Sequence, residues 1–144
     1  MLAQNFKKAA DLGISEAQFA ALRKTLVLAE TGRLRHIDPT DYRHDFLGKK
    51  SFTGHFNMNW WSMKRTCGTC CCLGGTAELV GNLREDALHV AAQKNPELFN
   101  LFYPGRRDRG RDINMKLITP SQAATALRSY LTTGDARWDL AVSP

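Results

Sequence analysis

No stretch of this chain approaches the ~20 consecutive apolar residues that a bilayer-spanning helix requires. Residues 1–11 carry two lysines but no apolar run and no small-residue cleavage site, so they do not read as a secretory signal; the expected location is the cytoplasm. Cysteine is missing everywhere except residues 67–72, where all four lie. A secreted disulfide scaffold spreads its cysteines along the chain, and that class is excluded. Also lacking are a P-loop, a dinucleotide fingerprint, His-Glu-x-x-His and Gly-x-Ser-x-Gly. Asp11, Glu16, Asp38, Asp41 and Asp45 offer carboxylates, yet no two of them stand in a recognisable acid/base context. Catalysis therefore has no positive support, and the sequence assigns no catalytic residue, cofactor or metal ligand. There is no internal repeat and no low-complexity tract.

What is present suits one domain over residues 1–144: hydrophobic residues make up 43% and charged residues 24%, ordinary globular usage with enough apolar material for a core. The net charge of +6 attracts phosphates and acidic partners. That charge is dispersed, with 11 Lys/Arg against 6 Asp/Glu in the first half and 9 against 8 in the second. Such a spread favours a solvated surface over a dedicated binding stripe.

Helix signals are strong. Ser15-Glu-Ala-Gln18 has the form of a capping box, Phe19, Leu22, Leu26 and Ala29 follow at helical spacing, and Gly32 supplies a left-handed stop, which predicts a helix over 16–31. Residues 33–66 hold no period and read as a long connection pinned by Phe46, Phe52, Phe56, Trp60 and Trp61, with a short strand at 56–58. A small-residue helix is predicted over 69–81; its adjacent Gly74 and Gly75 imply another element very close to its backbone. Further helices are expected over 85–93 and from Asn95-Pro96 to Pro104-Gly105. Residues 113–118 read as a strand pairing with 56–58. Thr119-Pro-Ser-Gln122 opens a last helix with an inner stripe of Ala123, Ala126, Leu127, Tyr130 and Leu131, stopped by Gly134; Trp138 and Leu140 fold back as a clasp.

The chemistry-bearing candidates are few. Cys67-Gly-Thr-Cys70-Cys71-Cys72 allows three readings. Zinc would need a second ligand pair, and His36, His44, His55 and His89 do not supply a spaced one. A Cys-x-x-Cys at a helix start has the electrostatics for a reactive thiol, but such motifs usually follow a strand, and no strand pattern precedes it. The third reading is burial, with the thiols as small hydrophobes. Arg106, Arg107, Arg109 and Arg111 would grip phosphates, although Asp108 and Asp112 leave that loop a charge of only +2. Trp60 and Trp61 would stack on a base or a partner, or fill the core.

With Phe56-Asn-Met-Asn-Trp60 and Cys67-Gly-Thr-Cys-Cys-Cys72-Leu-Gly-Gly-Thr-Ala77, the chain resembles a group of short uncharacterised bacterial and phage proteins. Their shared segment runs Phe-x-Met-x-x-Trp, then Cys-Gly-Thr-x-x-Cys-x-x-Gly-x-Ala. Leu98 to Pro104, Ile118-Thr-Pro and Leu131-Thr-Thr-Gly-Asp-Ala-Arg-Trp138 belong to the same likeness, which thus covers the C-terminal two-thirds. The group has no established activity, so the resemblance implies none. It does imply that Cys70 and one neighbour stand where small residues suffice.

The expected architecture is mainly α: an irregular domain of four or five helices around the buried helix 69–81, with room for one short two-stranded β element. The expected function is a non-enzymatic binding or regulatory accessory protein, linked to mobile elements, with a protein or nucleic-acid partner and no membrane. Its candidate binding residues are Arg106, Arg107, Arg109, Arg111, Trp60 and Trp61. The alternative is a thiol redox or metal-binding protein centred on Cys67, Cys71 and Cys72.

Overall fold

A computed structural model describes residues 5–37, 52–59, 62–65, 68–104 and 113–142. The protein is mainly helical. A one-turn helix α1 (Ala9–Leu12) precedes the long α2 (Glu16–Glu30); four short strands follow, β1 (Arg35–His36), β2 (His55–Phe56), β3 (Ser62–Arg65) and β4 (Gly68–Cys71). Then come α3 (Leu73–Val80), α4 (Ala87–Gln93), α5 (Pro96–Phe102), a single 3-10 turn at Met115–Leu117, α6 (Pro120–Thr133) and α7 (Trp138–Ala141).

The helix signals act as their chemistry dictates. Ser15 Oγ accepts from Gln18 N at 3.1 Å while Gln18 Oε1 accepts from Ser15 N at 2.9 Å, closing the capping box. At the other end of α2, Gly32 takes φ +75° and Arg33 N donates to Leu28 O at 2.9 Å, so the chain turns out of the helix. Thr119 and Gln122 close the same box on α6, and Asn95 caps α5 through Leu98 N. The α6 stripe of Ala123, Ala126, Leu127, Tyr130 and Leu131 is fully buried, and it packs on α2.

The small-residue helix is shorter than expected. It begins at Leu73, because Gly68–Cys71 forms an inner strand of the sheet, parallel to β2 and antiparallel to β3. Two glycines at about 1 kcal/mol each leave little intrinsic helix stability to extend, whereas a strand bonded on both edges satisfies every backbone group. The sheet order is β1-β2-β4-β3, so the β element reaches four strands among the described residues. β2 pairs with β1 and β4 and not with residues 113–118. There Asn114 turns its side chain onto Lys116 N at 3.1 Å, a local bond that competes with a ladder, and Leu117 is exposed; only Ile118 is buried.

A close approach to α2 is seen at the C-terminal end of α3, at Gly81. A Cβ placed on Gly81 would lie 2.4 Å from Ala21 Cβ, so the end of α3 rests on the middle of α2. Gly74 and Gly75 are buried as well. α4 has no side-chain cap of its own; the buried Glu78 of α3 accepts from Asp86 N at 3.1 Å and Leu88 N at 2.9 Å and does that work across helices. Trp138 is buried, its indole N–H donating to Asn100 O at 3.0 Å and Leu101 O at 3.2 Å, but Leu140 points outward and takes no part in the clasp. Of the aromatics expected to pin the long connection, Phe56 is buried and Phe52 is 41% exposed. Phe46, Trp60 and Trp61 lie outside the described residues.

Candidate anion-binding groove

The arginine run Arg106, Arg107, Arg109 and Arg111, together with Trp60, Trp61 and Cys67, falls outside the described residues. Cys71 ends β4 and Cys72 occupies the N-cap position of α3; both are buried. A strand does precede the helix start here, the arrangement a reactive thiol uses. Burial nevertheless pushes the Cys72 thiol up to about 12, outweighing the backbone N–H groups of Gly75 and Gly74 that pull it down. At neutral pH it is a protonated, apolar filler.

The described histidines are occupied in separate places. His36 Nε2 meets Lys116 O at 2.7 Å and binds β1 to the 3-10 turn, His55 Nε2 faces Arg35, and His89 Nδ1 bonds the Tyr103 hydroxyl. Burial, then the nearby Cys72, Asp86 and Glu78, pushes Tyr103 up to about 12, so its hydroxyl keeps its proton. Among the described residues no group of three or more His, Cys, Asp or Glu side chains is placed to hold a metal.

A different constellation stands at the start of the chain. Lys7 N donates to Leu131 O at 2.8 Å, which fixes the first described residues against the end of α6. Gly13, at φ +70°, reverses the chain after α1, and the Ser15 box launches α2 alongside. Phe19 and Arg23, one turn apart on α2, therefore face Phe6, Lys7 and Lys8. Together with Glu16 they wall a groove of about 400 Å3.

Inside it the Phe6 and Phe19 rings meet edge to face with centroids 6.5 Å apart. The Arg23 guanidinium lies 5.2 Å from the Phe6 centroid and 5.8 Å from that of Phe19, and Arg128 of α6 lies 5.8 Å from Phe6. Arg128 is spent on Glu30, which takes two of its N–H groups at 2.6 and 2.7 Å and raises its pKa further. Among the described residues Lys7, Lys8 and Arg23 have no such partner: all three are exposed, and none is ion-paired there. Three uncompensated cations thus surround a pair of half-buried phenyl rings, with Glu16 the one carboxylate on the wall.

Sequence reasoning missed this groove. Its signals were present as the i, i+4 pair Phe19 and Arg23 and the triplet Phe6-Lys7-Lys8, but nothing local says that the two segments meet. No family model, curated protein or solved structure matches the chain. A second, apolar hollow of about 360 Å3 lies between α2 and α3, where Val27 and Phe52 are exposed. No helix of the described residues is long and apolar enough to cross a membrane.

Proposed function

We propose that the protein is a non-enzymatic binding protein that holds an anionic partner in the groove between α1 and α2. One observation carries this reading: Lys7, Lys8 and Arg23 converge on one concavity, with no carboxylate of the described residues bonded to any of them. Exposed cations more often disperse or pair; clustering them costs mutual repulsion that an incoming anion relieves. The net charge of +6 adds a favourable long-range field. The arginines at 106, 107, 109 and 111 remain candidates for a second contact.

The test is retention on heparin. The wild-type chain is expected to bind at low salt and to elute as salt rises. Replacing Lys7, Lys8 and Arg23 by serine should abolish retention, and the same change at Arg106, Arg107, Arg109 and Arg111 should leave most of it. Unaltered retention of the groove variant would sink the reading. The thiol or metal-binding alternative draws no support from the burial of Cys71 and Cys72.

A further inference from the structure

We infer that the groove's occupant is single-stranded nucleic acid, one base packing against Phe19 and the adjoining phosphates resting on Lys7, Lys8 and Arg23; this rests on the anionic-partner reading above. An acidic peptide would need only the cations. Here the cations frame two aromatic rings that line the same concavity, and such a ring is a surface that a base uses and a carboxylate does not.

The placement of Arg23 sharpens the point. Its planar guanidinium already lies within 6 Å of both ring centroids, at 5.2 and 5.8 Å. A base entering beside it gains contact with ring and guanidinium together, and the remaining N–H groups of the fork stay available to a phosphate. Glu16, on the same wall, offers an acceptor to an N–H on the edge of a base.

Size points the same way. A volume of about 400 Å3 admits one nucleotide's worth of matter. The bases of a duplex are locked in their own stack and present only phosphates to such a groove. A single strand offers both chemistries at once.

The experiment measures binding of the full chain to a fluorescent oligothymidylate, to the same strand annealed to its complement, and in competition with polyglutamate. The single strand should bind more tightly than the duplex, with a log–log salt slope of about −2 for three phosphate contacts. Phe19→Leu should weaken single-strand binding about tenfold, and Arg23→Gln should lower the salt slope by about 0.7. Duplex binding as tight as single-strand binding, or displacement of the strand by polyglutamate at equal charge, would overturn this inference and leave the anionic-partner reading standing. Absence of binding to any of the three would overturn both. Should Phe19→Leu fail to fold, the exposed Arg23 decides: an unchanged affinity and slope in Arg23→Gln overturns the assignment of the groove.

Discussion

Gly81 and Ala21 press together so closely that a side chain on Gly81 has no room: its Cβ would stand 2.4 Å from Ala21 Cβ and 2.9 Å from Ala77 O. Gly81→Ala must push α3 off α2 and should destabilise the fold by about 1–3 kcal/mol, read from urea unfolding. Ala21→Gly in the same chain should recover part of that loss, and only part, because the Ala77 carbonyl stays in the way. Additive effects of the two changes would show that the helices do not meet here.

Glu78 caps a helix it does not belong to. Glu78→Ala removes the acceptor of Asp86 N and Leu88 N and should cost about 1.5–3 kcal/mol. Hydrogen exchange at those two amides should quicken out of proportion to the rest of α4. Equal protection in variant and wild type would deny Glu78 this role.

Alkaline pH should unfold the protein earlier than its charge alone suggests. Cys72 rises from 9.0 to about 12, Tyr103 from 10.0 to about 12, and Tyr130 is raised further by burial. In that range the unfolded chain has lost protons that the folded chain keeps, so stability is intact below about pH 9 and falls towards pH 12. Cys72→Ala should shallow the decline in a melting series against pH. In the same preparations, Cys72 should label with a thiol reagent at neutral pH only after denaturation.

Glu30 restrains a cation beside the groove. Both partners of the Glu30–Arg128 pair are about a third exposed, at 35% each, so Glu30→Gln should change stability by less than about 1 kcal/mol. It should nonetheless strengthen anion binding several-fold by releasing Arg128 next to Phe6. Weaker binding in this variant would mean that the pair, as paired, builds the groove.

What could be read from sequence was local. Ser15 with Gln18, Asn95 before Pro96 and Thr119 with Gln122 declare helix starts because each cap is made by residues three apart. The inner stripe of α6 was legible for the same reason. The strand at Gly68–Cys71 was not, since its bonds go to residues 55–56 and 62–65, and small residues suit a buried helix and an inner strand alike. Leu140 looked like a clasp beside Trp138, but only the indole has carbonyls to bond. The groove was illegible because Phe6 meets Phe19 only through the reversal at Gly13, and Arg128 only through the path of the whole chain.

The bond from Lys7 N–H to Leu131 O has a temporal meaning. It joins residues 124 positions apart, and Arg128 reaches Phe6 across a similar span. Contacts that close so long a loop come late, after local helices have formed. A chain still emerging in N-to-C order holds Phe6, Lys7 and Arg23 early, yet it lacks the surface that sets them in register until α6 arrives. On the proposed reading, affinity for an anion at this groove would double as a certificate of completed folding, issued only when the two ends of the described chain have met.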